Sequence, residues 1–531
     1  MVYLAGPHVN GVFSLREDLP WLAVNRTRLN FGASAGTPPT QAQKFSVANA
    51  GDGILQWTAG ADRSWIRVSP SGGTNGGTVR VSVDPQSLAP GKYTGSVMVE
   101  DPQAANSSST VEVYLTIYGG SGGVGPGPSG SPFGSFDTPA DGAAQEGSVP
   151  VTGWALDDIQ VAKVEIWRAA AADEGSGLVY IGEAVFVEDA RPDVEKVYPL
   201  YPNNRRAGWG YMMLTNGLPN RGNGTFVIHA RATDAEGRVV EIGKKTIFCD
   251  NAGAVRPFGT IDTPIQGGSA FGSAYLNFGW ALTPAPNAIP ADGSTIWVWV
   301  DGVPLGHPVY GHFRSDIAAL FPGYANTNGA VGYWMLDTTG YADGVHTIAW
   351  SVEDNAGNVS GLGSRYFTIL NSSGDSSTQA RPMSKVERMI AKALGARSGP
   401  SRSRLLEETR VANDFSPVGL KTGFSPSRLP EFVYPGRNGT IRAALPELGR
   451  IEIDLNPAAE SGSSWSGFLL VGTELRPLPI GSSLDSSAGV FRWQSGPGFI
   501  GTYDLVFIRD GSISKRATIA IGPPTEGKLN P

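Results

Sequence analysis

Few residue combinations in this chain could support catalysis. The 531 residues include 5 His and 1 Cys, so a Ser-His-Asp or Cys-His constellation is hard to assemble. The run Gly-Gly-Ser-Gly-Gly at 119–123 has the spacing of a nucleophile elbow, but that motif requires a strand-to-helix turn, and this run lies in a Gly/Pro/Ser-rich stretch. His307 and His312 supply two metal ligands without a third. We therefore predict a non-enzymatic protein without catalytic, cofactor-binding or metal sites.

Two Asp-containing turns could instead hold calcium. Asp354, Asn355 and Asn358 offer the oxygen ligands that this ion prefers. Asp and Asn also stabilise turns through their own side chains. The corresponding turn at Asp234 carries Arg238 where Asn358 stands. Because an arginine does not ligate a cation, we interpret both turns as structural.

The two turns belong to a segment that occurs twice, so two modules of one fold lie in tandem. Tandem β-modules typically space, stack or bind, and what the copies share is mostly Gly, Pro, Trp and turn Asp. Corresponding stretches are 132–139 and 257–264, 153–156 and 279–282 (both Gly-Trp-Ala-Leu), 210–211 and 332–333 (both Gly-Tyr), and 232–237 and 352–357.

One polar pair also recurs in both copies. Arg191 and Asp193 in the first correspond to Arg314 and Asp316 in the second. In one interpretation, an internal Arg–Asp ion pair pins an inserted loop or short helix. In the other, the pair contacts a ligand or a neighbouring module.

The 13 Trp residues raise the possibility of stacking on a glycan. Most lie within strand-like stretches and are predicted to be in the core. Trp209, Trp334 and Trp465 lie near Gly or Ser and are the candidates for exposed aromatic surface, with a core position as the alternative for each.

The elements that must position these residues are strands. The chain has 71 Gly and 39 Pro and is 17% charged, which is typical of many short strands joined by turns. Period-two alternation and the hairpin turn Asp301-Gly302 agree. We predict an all-β chain of tandem sandwiches joined by Gly/Pro/Ser-rich linkers. The predicted divisions are 1–24 (extension or remnant), 25–118 (β-domain), 119–131 (flexible linker), 132–254 and 255–371 (repeats), 372–427 (linker with a short helix at 384–394), 428–523 (β-domain) and 524–531 (tail).

The first β-domain resembles a known family. Asn-Ala-Gly at 49–51, Leu-Gln-Trp-Thr-Ala at 55–59, Trp-Ile-x-Val-Ser-Pro at 65–70 and Gly-Lys-Tyr-Thr-Gly at 91–95 are similar to a BACON-type module. The resemblance implies a small immunoglobulin-like sandwich of a bacterial secreted protein, a class associated with glycan or mucin binding. It transfers no ligand residues.

The later modules carry two further resemblances. The turn at 354–358 is similar to the last hairpin of bacterial immunoglobulin-like domains. The stretches 479–485, 489–493 and 501–503 resemble a cadherin-like, putative-immunoglobulin domain of bacterial surface proteins. Both imply immunoglobulin-like sandwiches on a cell surface.

Charge and topogenic signals restrict the partners and the location. A net charge of −7 argues against nucleic acid. No run of apolar residues is long enough for a membrane span, and the single Cys249 excludes an intrachain disulfide framework. The N-terminus of the given chain lacks a basic-then-apolar signal segment. Pro20–Val24 resembles a partial echo of Ser64–Val68 and suggests that an upstream part is missing.

Together, these features predict an extracellular or cell-envelope protein that acts in adhesion, in polysaccharide or surface-protein binding, or as a stalk. Two alternatives remain open. The chain could be the accessory region of a larger secreted hydrolase, or a fibre subunit that self-associates through exposed edge strands.

Overall fold

The computed structural model describes residues 19–51, 53–119, 126–371, 412–425, 428–456, 464–472, 474–510 and 513–523. Alternation of buried and exposed residues gives each sheet an apolar face, as at Val79, Val81 and Val83. Such faces must be buried against one another, and the eight sheets in these ranges accordingly form four sandwiches. The prediction of an all-β chain of tandem immunoglobulin-like sandwiches is confirmed. The predicted helix at 384–394 lies outside the described residues.

The N-terminal module has nine strands. Its sheets have the orders β1-β3-β7-β5 and β2-β9-β8-β4-β6. Because β1 pairs with β3, Leu22–Val24 belongs to this module and not to a remnant. The similar stretch 64–68 overlaps β5, at the opposite edge of the same sheet, and the upstream part stays a prediction. The strands are β1 (Leu22–Val24), β2 (Arg28–Ser34), β3 (Gln43–Asn49), β4 (Gln56–Ala61), β5 (Ile66–Ser69), β6 (Gly72–Thr74), β7 (Gly77–Val83), β8 (Gly91–Glu100) and β9 (Ser108–Tyr118).

Repeat 1 combines nine strands with two short helices. A four-stranded sheet, β10-β12-β16-β15, packs on a five-stranded sheet, β11-β18-β17-β13-β14. The elements are β10 (Phe133–Thr138), β11 (Ala143–Gln145), β12 (Ser148–Leu156), β13 (Val161–Ala169), β14 (Leu178–Glu183), β15 (Val185–Val187), α1 (Pro192–Val197), β16 (Gly208–Leu214), α2 (Pro219–Gly222), β17 (Asn223–Asp234) and β18 (Val239–Asp250).

Repeat 2 reproduces this arrangement strand for strand. Its sheets have the orders β19-β21-β25-β24 and β20-β27-β26-β22-β23. The predicted hairpin turn joins β22 to β23, with φ of 49° at Asp301 and 76° at Gly302, the left-handed values that such two-residue turns require. The elements are β19 (Phe258–Thr263), β20 (Gly268–Ala270), β21 (Tyr275–Leu282), β22 (Ile296–Val300), β23 (Val303–Gly306), β24 (Val309–His312), α3 (Ser315–Leu320), β25 (Val331–Leu336), β26 (Gly344–Glu353) and β27 (Val359–Ile369).

The C-terminal module begins earlier than the predicted boundary at 428. Its sheets contain β28 and β29, which pair with β38 and β32. One sheet has the order β28-β38-β37-β33-β34, with β31 also on β38, and the other β30-β29-β32-β36-β35. The strands are β28 (Ala412–Asn413), β29 (Val418–Thr422), β30 (Glu431–Val433), β31 (Thr440–Pro446), β32 (Arg450–Asp454), β33 (Trp465–Val471), β34 (Glu474–Arg476), β35 (Ser482–Asp485), β36 (Val490–Gln494), β37 (Gly501–Arg509) and β38 (Ile513–Gly522).

The N-terminal module packs directly on repeat 1. The Thr40 hydroxyl donates to the carbonyl of Ile159 at 2.6 Å, and Ser34 Oγ donates to Glu236 at 2.7 Å. The predicted flexible linker is fixed where the structure describes its end, since Ser129 is buried and Arg238 Nη1 donates to its carbonyl at 2.9 Å. Residues 126–131 therefore form part of the contact between the two modules.

The C-terminal module packs against both repeats at once. One buried cluster combines Val187 and Ala190 of repeat 1, Tyr366 of repeat 2 and the core of the C-terminal module. The Tyr503 hydroxyl donates to the carbonyl of Ala190 at 2.7 Å, and that of Tyr366 to the carbonyl of Pro497 at 2.8 Å. The last module thus returns to the junction of the repeats and does not extend the row.

Candidate functional site

The recurring Arg–Asp pair of repeat 1 is an internal ion pair. Arg191 lies immediately before α1, and its Nε and Nη2 donate to Asp193 at 2.9 and 2.7 Å. Its Nη1 also bonds to Asp137 on β10. Although burial opposes the charged form, the two carboxylates hold the pKa of Arg191 above its ordinary value. The pair fastens α1 to the four-stranded sheet.

The pair of repeat 2 repeats this geometry. Arg314 Nε and Nη2 donate to Asp316 at 2.7 and 2.9 Å, and Nη1 bonds to Asp262 on β19. Asp137 and Asp262 are the Asp of the shared Phe-Gly-x-x-Asp-Thr-Pro motif, so the sequence contained the third member of each cluster. Of the two interpretations, the internal ion pair accounts for every contact of both guanidinium groups.

The three candidate tryptophans are not exposed platforms. Trp209 and Trp465 are 0% and 1% exposed, and Trp334 is partly buried against the core of repeat 2. Neighbouring glycines make room for the rings. A Cβ on Gly153 would lie 2.5 Å from the Trp209 ring, one on Gly489 2.7 Å from Trp465, and one on Gly306 3.0 Å from Trp334.

The Asp turns are saturated by hydrogen-bond donors. Asp354 accepts from the Thr283 hydroxyl at 2.8 Å and from the backbone N–H groups of Ala356 and Asn358 at 3.0 Å. Burial alone would raise the pKa of Asp354, but these donors hold it below its ordinary value. A carboxylate surrounded by N–H and O–H groups stabilises its turn and has no free oxygen for a cation.

A buried carboxylate lies between the C-terminal module and repeat 1. Glu447 follows β31 and is 3% exposed. It accepts from the Thr138 hydroxyl at 2.8 Å, the Thr152 hydroxyl at 3.5 Å and the Gly498 N–H at 2.9 Å. Burial raises the pKa of Glu447 to about 7 against these donors, and the charge of Asp137 acts in the same direction.

A buried cation forms the second polar contact of this interface. Arg476 is 2% exposed, and its guanidinium donates to Asp189 at 2.6 Å and to both oxygens of Glu195, at 2.8 and 2.7 Å. Burial alone would raise the pKa of Asp189, but Arg205 and Arg476 hold it below its ordinary value. Sequence reasoning missed Glu447 and Arg476, because each lies in a strand-like stretch far from its partners.

On repeat 2, the C-terminal module covers the outer face of the five-stranded sheet. The Arg450 guanidinium carbon lies 4.7 Å from the centre of the Trp299 ring, and Nε donates to the Gly302 carbonyl at 3.0 Å. The Phe424 ring lies 6.0 Å from Trp299. On repeat 1 the same module covers the four-stranded sheet instead, where a Cβ on Gly210 would lie 2.4 Å from the Pro497 carbonyl oxygen.

Among the residues that the structure describes, the C-terminal module leaves the opposite face of each repeat uncovered. On the four-stranded sheet of repeat 2, Leu276 and Met335 are cross-strand partners, 48% and 49% exposed, beside the exposed Val309. On the five-stranded sheet of repeat 1, Tyr180 is exposed and is the cross-strand partner of the partly buried Trp167. These two surfaces differ in chemistry. The first combines aliphatic side chains with the cross-strand ring pair Phe278–Tyr333 and with His312, and the second places charged groups beside its rings.

The described residues offer no reactive constellation. Among them no group of three or more His, Cys, Asp or Glu side chains could hold a metal ion. Burial raises the pKa of the Cys249 thiol to about 11, which removes its thiolate at neutral pH. His307 Nδ1 hydrogen-bonds with the Ile296 carbonyl at 2.8 Å, and His312 packs against Tyr333. None of the described helices has the length and apolarity to span a membrane.

Comparison with known families identifies part of the chain. Residues 22–112 match the viral BACON domain family, so the resemblance of the N-terminal module is confirmed. Because the family is described as viral, the bacterial origin stays a prediction. No curated protein matches the chain. The BACON domain and the sandwich modules fit a non-enzymatic modular binding or structural protein.

Solved structures match at low identity. The Clostridium thermocellum CbhA fibronectin(III)-like modules are 15% identical, with 47% of this chain and 100% of that chain covered and a TM-score of 0.16. The N-terminal four Ig domains of Dscam1 isoform 4.44 are 9% identical (95% and 99%, TM-score 0.19). The tetra-tandem repeat in the extending region of a large adhesion protein is 12% identical (94% and 100%, TM-score 0.17). At these TM-scores the similarities support no conclusion about the function of this chain.

Proposed function

We propose that this chain is an extracellular or cell-envelope binding protein, non-enzymatic, which attaches to a polysaccharide or a surface protein through the open sheet faces of its repeats. One observation supports the proposal above the others. The C-terminal module covers a different face of each repeat, so within the described ranges the two copies present different open surfaces, one rich in aliphatic side chains and one with charged groups beside its rings. A protein that only separates other domains does not require two repeats with different uncovered faces.

The contacts between modules support a rigid display of these surfaces. Buried polar contacts such as Arg476–Glu195 fix the orientation of the C-terminal module on repeat 1, because each buried charge needs its partner. Preorganised surfaces lose less entropy on binding. The hydrolase-accessory and fibre-subunit alternatives stay predictions of the sequence.

The test is a glycan array combined with a pull-down on isolated cell surfaces, using the full chain with its fold confirmed by circular dichroism. We expect binding above background in at least one of the two assays. Absence of binding in both would refute the proposal.

A further inference from the structure

The open face of repeat 1 carries a pair of aromatic rings at its edge. Trp167 on β13 and Tyr180 on β14 are direct cross-strand partners, with ring centres 5.2 Å apart and planes at 70°. Tyr180 is 49% exposed. Both rings lie on paired strands, next to a register irregularity between Ile166 and Trp167, and their fixed positions reduce the entropy lost on binding.

Charged groups surround the two rings at fixed positions. His229, the partner of Trp167 on β17, hydrogen-bonds with Glu241 at 2.8 Å. Lys163 Nζ donates to Glu165 at 2.6 Å on the strand that carries Trp167. Arg231 lies with its guanidinium carbon 5.8 Å from the Trp167 ring centre. The face thus alternates ring surface with hydrogen-bonding groups of both signs.

In repeat 2, the position equivalent to Trp167 is occupied by Trp299, which the C-terminal module covers. Trp167 pairs with His229 and Trp299 with Ala349, and the partners lie at equal distances before the turn residues Asp234 and Asp354. Trp299 is 1% exposed beneath the C-terminal module. Its counterpart in repeat 1 has no module over it among the described residues, although the ring position is the same.

We infer that the outer face of the five-stranded sheet of repeat 1 is a carbohydrate-binding surface, with Tyr180 and Trp167 stacking on sugar rings and His229, Glu241 and Arg231 bonding to hydroxyls. The inference rests on the proposed function and assigns its ligand class. The C–H faces of a pyranose carry slight positive charge, and aromatic faces carry slight negative charge.

The charge pattern favours carbohydrate over protein. The centre of a protein interface is depleted of Lys, Glu and Asp, whereas here such residues adjoin the rings on the same and neighbouring strands. A polysaccharide offers both C–H faces and hydroxyl groups, so the rings and the charged groups can both contact it.

The test uses the full chain in affinity electrophoresis against soluble β-1,3-glucan, β-1,4-xylan, β-1,4-mannan and polygalacturonate. We expect at least one polysaccharide to retard the protein. Tyr180→Ala should weaken that binding about tenfold, by analogy with the loss of one ring stacked on a nucleic-acid base, and Tyr180→Phe should retain most of it. The matched control is Tyr434→Ala, which removes an exposed Tyr from the C-terminal module and should leave binding unchanged.

Each other outcome overturns the inference in a distinguishable way. If Tyr180→Ala and Trp167→Phe bind a polysaccharide as tightly as the natural chain does, this face is not the site, and the proposed function stands. If only a surface protein is bound, the ligand class is wrong. If neither polysaccharide nor protein is bound, the proposed function fails as well.

Discussion

Replacing Glu447 by Gln should remove a pH dependence from the junction between the C-terminal module and repeat 1. The carboxyl group is buried with a pKa of about 7, against an ordinary value of 4.5. An acid whose pKa is raised by folding keeps its proton in the folded state while the unfolded chain has lost it. The contribution of Glu447 to stability is therefore highest below pH 4.5 and falls as the pH rises toward 7.

The size of the effect follows from this shift. The difference between 4.5 and about 7 corresponds to about 3 kcal/mol, at ~1.4 kcal/mol for each pH unit. The amide side chain introduced by Glu447→Gln would carry no charge, and its oxygen could still accept from the Gly498 N–H. The Glu447→Gln variant should therefore match the natural chain near pH 4 and exceed its stability by about 3 kcal/mol near pH 8.

The assay is urea-dependent hydrogen exchange of peptides that contain position 447, followed by mass spectrometry at several pH values. Taking the difference between the two proteins cancels the titration of all other groups. A stability difference that does not change between about pH 4 and about pH 8 would refute the reasoning. A variant less stable than the natural chain near pH 8 would do so too, because it would mean that the ionised carboxylate is favourable at this site.

Two further substitutions test the packing of the modules. Arg476→Met removes the cation that bonds to both oxygens of Glu195, while Asp189 keeps Arg205, and it should cost about 3–5 kcal/mol in urea unfolding. Arg67→Ala at an exposed ion pair should cost less than about 1 kcal/mol. An equal cost for both would contradict the importance of the buried contact. Gly210→Ala places a Cβ against Pro497, whereas Gly217→Ala has no atom within 4 Å. We expect only the first to release the C-terminal module, seen as a larger radius of gyration in small-angle scattering, and an unchanged radius would argue against this interface.

The strands of each module could be predicted from sequence because their signals are local. The period of two at Val79, Val81 and Val83 and the Asp301-Gly302 turn depend on neighbouring residues alone. The Arg191–Asp193 and Arg314–Asp316 pairs were also within reach, since both partners lie two residues apart.

Side-chain direction was harder to predict. The match of Gly-Tyr at 210–211 with Gly-Tyr at 332–333 is wrong by one residue. Thr152 and Phe278 are equivalent, because each comes directly before the shared Gly-Trp-Ala-Leu. Thr152 pairs with Gly210 and Phe278 pairs with Tyr333, so Gly210 corresponds to Tyr333. A shift of one residue exchanges the two faces of a strand. Glycine next to Trp was interpreted as a sign of exposure, but Gly153 and Gly489 provide the space in which buried rings fit.

The contacts between modules could not be predicted, because they join positions far apart in sequence. The signal for the open face was present, however. A Trp recurs near the end of a strand in both copies, as Trp167 and Trp299. The two differ in their cross-strand partners and in the position of the C-terminal module, which covers Trp299.

The return of the C-terminal module to the repeats has a consequence for biosynthesis. Thr138 and its partner Glu447 are 309 residues apart, so a ribosome that adds ~5–20 residues per second needs roughly 15–60 s between them. During that interval both repeats can fold, but the faces that the last module will cover remain exposed to solvent. Trp299 is then exposed on the nascent chain, and we expect this surface to promote association with the same surface of a second nascent chain until the C-terminal module has been synthesised.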